Sequence, residues 1–226
     1  MRKILGILVV FVLIGLQSKA DGAEVRNLQG FSSVYIMGNL SVRLVKSDST
    51  YAVIKGDSVY LGKVSTVVKN DELTLRFNKI GSSKTMTVVV FYKSINEITA
   101  KAGCTVVANQ AIEANKIKIK LGQGSDAELE IKAHKLEVKI TQGSDFRIKG
   151  NVDQLAVVST SGSLFLGYNL MAVDANLKAV TGATINVSIS GNLSAVAHTS
   201  GDVIYKGTPK TISQDVSTGG LIKQKQ

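Results

Sequence analysis

A glycine following a small or polar residue returns about every 19 residues through the second half of this chain. The pairs are Ala102-Gly103, Gln123-Gly124, Gln142-Gly143, Ser161-Gly162, Thr181-Gly182, Ser200-Gly201 and Thr218-Gly219, and the gap between neighbouring glycines never strays far from that value. A period this narrow and this short points to a solenoid in which each unit is one coil. Within a unit, short runs alternate apolar and polar residues, as in Ile117-Lys118-Ile119-Lys120-Leu121 and Leu136-Glu137-Val138-Lys139-Ile140. Alternation with period two is the pattern of a strand with one buried and one wet face. Beyond the first twenty residues, no segment has the 3.6-residue period and length of a helix.

These units fit a parallel β-helix. The asparagine-containing consensus of a leucine-rich repeat is missing, and an antiparallel sandwich needs no fixed turn spacing. At ~3.3 Å per residue a 19-residue coil has a perimeter of roughly 60 Å, and coils stack ~4.8 Å apart. The glycines then fall at one tight corner per coil, where positive φ is required. Neighbouring Ser, Thr and Gln are expected to stack and hydrogen-bond along the axis. A phosphate-cradling loop crowds its glycines before a helix, which this chain does not do.

Residues 21–100 are also strand-rich but less periodic. Candidate strands run over 34–37, 40–45, 52–55, 64–68, 72–77 and 86–92, with a turn at Asn70-Asp71. Gly81-Ser82-Ser83-Lys84 reads as an exposed loop. Nothing resembling a linker separates the two halves. A single domain over 21–226 is expected, with 21–100 as irregular first coils or a cap and 101–226 as regular coils.

The first twenty residues read as a secretory signal. Met1-Arg2-Lys3 is basic, Ile4 to Leu16 is an apolar core, and Ser18-Lys19-Ala20 sets small residues at a cleavage site after Ala20. The 13-residue core falls short of the ~20 residues that cross a bilayer. The mature chain is expected to have no transmembrane span and to be exported to periplasm, cell surface or medium. Removing Arg2, Lys3 and Lys19 lowers the 27 basic residues to 24 against 17 acidic ones, a formal charge of +7 in place of +10.

Composition narrows the function classes. One cysteine, Cys104, excludes an internal disulfide framework, and two histidines, His134 and His198, leave little for His-based catalysis. With no tryptophan and 5% aromatic residues, base stacking and hence nucleic-acid binding are not expected. No cofactor is implied.

Three stretches carry a family likeness. They are Phe31-Ser32-Ser33-Val34 with Leu40-Ser41-Val42-Arg43-Leu44, the Gly-Ser or Ser-Gly corners at 124–126, 143–145 and 161–163, and the closing Ser200-Gly201-Asp202-Val203-Ile204-Tyr205-Lys206-Gly207-Thr208-Pro209. Over about residues 28–220 the chain resembles the auto-transporter adhesin head GIN domain family. The resemblance implies a right-handed β-helix in a secreted or envelope protein. It brings no catalytic or ligand residue with it.

Candidate sites follow from the repeat. Asp126 and Asp145 share a place in consecutive coils, one strand spacing apart, with Thr105 and Leu164 at the same offset in the flanking coils. Asp202 follows its glycine directly and reads as shifted in register. Lys116, Lys118 and Lys120 form an outward basic row near Lys139, interrupted by Glu137, Glu128 and Glu130. Surface contact through Lys116, Lys118, Lys120, Asp126 and Asp145 is the expected mode. The function expected is a non-enzymatic secreted or envelope β-helix, an adhesin or surface-interaction module, with envelope or host polysaccharide or a surface protein as partner. The alternative is a polysaccharide lyase or hydrolase built on Asp126 and Asp145. Aspartates at turns are common, which favours the first reading. Cys104 reads as a small half-buried residue at the first corner, and both histidines as surface residues.

Overall fold

The computed structural model describes residues 21–77 and 85–226. The expected leader and the Gly81–Lys84 loop lie outside the described residues. The first half supplies β1 (Asp21–Asn27), β2 (Ser33–Met37), β3 (Leu40–Lys46), β4 (Tyr51–Asp57), β5 (Val64–Lys69), β6 (Glu72–Phe77), β7 (Met86–Tyr92), β8 (Glu97–Lys101) and β9 (Thr105–Ala108), with one helical turn, α1 (Ser58–Leu61). The second half supplies β10 (Ile112–Gly122), β11 (Asp126–Ile140), β12 (Asp145–Thr160), β13 (Leu164–Val180), β14 (Thr184–Ile189), β15 (Asn192–His198), β16 (Asp202–Lys206), β17 (Thr211–Ser217) and β18 (Leu221–Gln224). All belong to one continuous sheet wound into a β-solenoid of about seven turns.

The second half stacks in chain order. β10, β11, β12 and β13 pair in parallel, each with the next. The register stays constant from Ile112 with Ile131 to Asp126 with Asp145, and slips by a single residue only within β13. Alternation puts one residue in two inside. Ala127, Phe146, Phe165, Ile185 and Val203 form one inward column, and the Phe146 and Phe165 rings meet edge-on at 5.8 Å. Burying each of the larger side chains is worth about 1.5–3 kcal/mol, so every coil glues itself to its neighbours.

The corners explain the glycine period. Each is two consecutive residues at positive φ, such as Gln123 (58°) with Gly124 (67°) and Gln142 (57°) with Gly143 (64°). The N–H of the second residue donates along the axis to the carbonyl of the first in the next coil: Gly124 to Gln142 at 3.0 Å, Gly143 to Ser161 at 3.0 Å and Gly162 to Thr181 at 3.0 Å. A Cβ at Gly124, Gly143 or Gly162 would meet nothing within 4 Å, so backbone conformation alone selects glycine there. One expectation is corrected here. The corner near His198 is Thr199 (φ 50°) with Ser200 (φ 57°), and Gly201 is the inward residue after it. A Cβ on Gly201 would lie 2.2 Å from the Ala179 carbonyl oxygen, so that glycine serves a close approach.

The residue after each corner points inside. Ser125, Ser144 and Ser163 are fully buried, and Cys104 and Ala183 hold the same place. Polar groups in a core need partners. The N–H of Cys104 donates to Ser125 Oγ (3.2 Å), and the N–H of Ser125 to Ser144 Oγ (3.1 Å). Ser163 Oγ donates to the Thr160 carbonyl (2.8 Å). The expected axial stacking therefore lies partly inside the coil.

In the first half, chain order and stacking order diverge. β2 pairs in parallel with β6 on one side and β8 on the other. β3 does the same between β7 and β9. The β2–β3 turn of the solenoid is thus inserted between a turn made later in the chain (β6, β7) and the one that continues into the repeats (β8, β9). The outer end is closed by antiparallel strands: β5 on β6, and β4 on β7 with β1 beyond it. Arg26 fastens this closure. Its guanidinium donates to the Val64 carbonyl, to the Leu61 carbonyl (3.0 Å) and to Thr66 Oγ1 (3.1 Å). At the other end, β17 and β18 pair on one side only among the described residues.

Candidate functional site

The sequence-derived residues lie on the outer surface of the coils. Asp126 and Asp145 are register partners on adjacent turns, in a row Ser41–Thr105–Asp126–Asp145–Leu164–Thr184–Asp202–Leu221. Asp202 belongs to this row, which corrects the expectation that it is shifted: the slipped residue is Gly201, because its corner lacks glycine. Leu164 and Thr184 separate Asp202 from the other two.

Two lysines of the basic row, Lys116 and Lys120, are ion-paired in place. Lys116 Nζ lies 2.9 Å from Glu137 Oε1, Lys135 lies 3.2 Å from the same oxygen, and Lys120 lies 2.7 Å from Glu97. Hydrogen bonds from Lys116 and Lys135 hold the Glu137 carboxyl below its ordinary range. Lys118 sits in register between Glu97 and Glu137. His134 Nδ1 is 2.8 Å from Asp153, and His198 Nε2 approaches Asp215 of the following turn at 3.1 Å. Cys104 is buried rather than half-buried. Its thiol donates towards the carbonyls of Lys101 (2.9 Å) and Gly38 (3.0 Å), and burial pushes its pKa up to about 11.

A groove lies two residues along from the aspartate row, with a volume of about 570 Å³. Its first wall is the outward row Arg43–Val107–Glu128–Arg147–Leu166, and its second carries Asn109, Glu130, Lys149 and Asn169. Leu129 and Ile148, the inward-facing residues between the rows, also line it, with Ala108 and Gln110 beside Asn109. Asp126 and Asp145 are not part of it. Arg43 Nη1 donates to Asn109 Oδ1 (2.7 Å), and Lys149 pairs with Glu130 (3.2 Å).

Tyr168 ends the groove, and a β-bulge puts it there. β13 carries one residue more than β12 between Arg147 and Lys149, opposite Gly167 and Tyr168. Bulges re-aim side chains and recur beside functional sites. Lys206 and Lys225 lie over the Tyr168 ring at 5.1 and 4.7 Å, within cation–π range. Desolvation raises the tyrosine's pKa. Sequence periodicity pointed to the aspartates and missed this groove, whose one visible trace was the slightly longer interval from Gly162 to Gly182.

The family profile described as putative auto-transporter adhesin, head GIN domain, matches residues 30–209. The chain belongs to that family. This GIN-domain protein shares its fold with solved relatives of low identity. A putative adhesin from Bacteroides fragilis aligns with TM-score 0.83 and 19% identity over 92% of this chain and 98% of its own. A putative adhesin from Parabacteroides merdae gives 0.76 and 15% over the same shares. A protein from Parabacteroides distasonis described as putative lipid binding gives 0.68 and 15%, again over 92% and 98%. No curated protein matches the chain. At these identities the likeness establishes the fold. The GIN-domain coil is thus a shared scaffold.

Proposed function

We propose that this GIN-domain protein is an exported, non-enzymatic adhesin-like module that binds envelope or host polysaccharide, or a surface protein, through the flank of its solenoid. The observation that carries this reading is the groove between the Arg43–Leu166 row and the row of Asn109, Glu130, Lys149 and Asn169. It offers donors, acceptors and one aromatic ring on rigid, paired strands. A flank of this kind makes shallow contacts repeated along the axis, which suits multivalent attachment to a surface. Asp126 and Asp145, the residues of the enzymatic alternative, do not line this groove.

The family supports the adhesin half of the reading, and the leader-like first twenty residues support export. Among the described residues no helix is long and apolar enough to cross a membrane. Two measurements test the proposal. Cell fractionation with protease shaving should find the protein outside the cytoplasm. Purified protein should bind components of a glycan and host-matrix array. Cytoplasmic retention with an intact leader, or a blank array with no crosslinked envelope partner, sinks it. Polysaccharide turnover abolished by Asp126→Asn or Asp145→Asn would restore the enzymatic alternative.

A further inference from the structure

We infer that the groove recognises a neutral oligosaccharide through vicinal hydroxyls, with Glu128 and Arg147 as the acceptor–donor pair and Tyr168 as an apolar end wall. This deepens the surface-binding reading above and rests on it.

Two charges in the groove, Glu128 and Arg147, are unused. Lys149 is spoken for by Glu130, and Arg43 by Asn109. Glu128 and Arg147 are register partners on adjacent turns, both exposed, and neither has a hydrogen-bond or ion-pair partner among the described residues. A carboxylate only accepts and a guanidinium only donates. A sugar hydroxyl does both at once. Two vicinal hydroxyls can therefore donate a hydrogen bond to Glu128 and accept hydrogen bonds from the planar fork of Arg147. The strand spacing of ~4.8 Å sets the two side chains apart by about the length of one pyranose ring. The flanking Asn109 and Asn169 amides supply further donor and acceptor pairs.

Other ligand classes fit less well. Three cations, Arg43, Arg147 and Lys149, stand beside two carboxylates, Glu128 and Glu130, and Lys149 and Arg43 are already engaged by Glu130 and Asn109, so an acidic glycan finds a divided field. A protein partner anchors on apolar hot spots, and the outward apolar lining here is restricted to Val107, Ala108, Leu166 and the flank of Tyr168. Tyr168 is half-buried and carries Lys206 and Lys225 over its ring, which presents a fixed wall at the end of the groove.

The test is isothermal titration of the purified full-length protein with maltohexaose, cellohexaose, mannohexaose and chitohexaose, beside a hexagalacturonate arm. Saturable binding to at least one neutral sugar is expected, little changed between low and moderate salt. Glu128→Gln and Arg147→Gln should each weaken it tenfold or more. Tyr168→Ala should weaken it less, and Lys178→Gln, exposed and outside the groove lining, should leave it unchanged. All four sites are at least partly exposed, and unchanged melting curves will show that the variants fold. Binding confined to hexagalacturonate, lost with salt and indifferent to Glu128→Gln, overturns the inference. So does binding to none of the sugars. If the protein still coats cells or matrix in that case, the adhesin reading stands without its sugar; if it coats nothing, both fall.

Discussion

Residues 97–226 and residues 21–92 build the same coil by different routes. In the later region each strand pairs with one a single coil away along the chain, as Met171 with Ser188 and Asp126 with Thr105. In the earlier region Ser33 pairs with Glu72 and with Glu97, partners about two and a little over three coil lengths further on. Loop closure costs only (3/2)RT ln n, so the longer reach adds less than about 1.5 kcal/mol per closure. An apolar strand edge therefore accepts a distant partner almost as readily as a near one. Contacts of high sequence separation do slow folding. A solenoid's order along its axis need not follow chain order, because the loop-closure cost that separates near from distant edges is small.

The two ends differ in the same sense. The first-half end is closed by antiparallel β5, β4 and β1. At the other end Ile212 and Val216 occupy inward positions opposite Leu193 and Ala197, yet are 46% and 49% exposed. A charge placed in each region should break the comparison most visibly. Ile36, fully buried in the inserted turn, contacts both β6 and β8 through its strand. Ile36→Asp should cost about 4 kcal/mol or more and remove cooperative unfolding in chemical denaturation. Ile212→Asp at the open end should shift stability by about 0.5 kcal/mol or less. Equal effects would mean that the inserted turn is not the keystone of the stack.

Next in size is Gly150, which faces Ile131 across adjacent turns of the regular half. Its φ is 122°, and a Cβ would lie 2.0 Å from the Ile131 carbonyl oxygen. Gly150→Ala should destabilise by roughly 3 kcal/mol, read as a lower denaturation midpoint. Gly143→Ala, with open space around its Cβ, should cost only about 1–2 kcal/mol for its left-handed backbone.

Cys104 joins the two regions, and its titration reports on their junction. The thiol's pKa is raised by burial from 9.0 to about 11 in the folded protein. Between these values the unfolded chain loses a proton that the folded one keeps, so stability falls as pH rises from 9 to 11. The loss is about 2–3 kcal/mol. The difference between wild-type and Cys104→Ala melts across that window should trace it. Below pH 9 the thiol should ignore a disulfide reagent until the protein unfolds. Rapid labelling of the native protein at pH 8 counts against a closed junction.

The smallest effect should be a gain. Ser200 occupies the left-handed place that glycine holds in the other corners. Ser200→Gly relieves that backbone and should raise stability by about 0.5–1 kcal/mol. A neutral or negative result would show that the Ser200 hydroxyl is worth as much as the strain.

Much of this was legible because it is local. Lys118 and Ile119 differ in facing because alternate side chains of a strand must, and Gln123-Gly124 turns a corner because glycine tolerates it. The aspartate row was readable between Asp126 and Asp145, where the interval is constant. It was misread at Asp202, because Ser200-Gly201 imitates a corner one residue late. The groove was illegible: Arg43 meets Asn109 from a different coil, far along the chain, and no periodicity links them.

The sequence by itself determined the coil, the corner and the wet and dry faces. These follow from backbone sterics and hydrophobic alternation within the length of one repeat. The tertiary structure alone decided where β2 and β3 enter the stack and which outward side chains share the groove. Both depend on which strand edges meet, and edges exchange partners at small cost. That choice is made by the folded whole, in which β2 lies between β6 and β8 and β3 between β7 and β9.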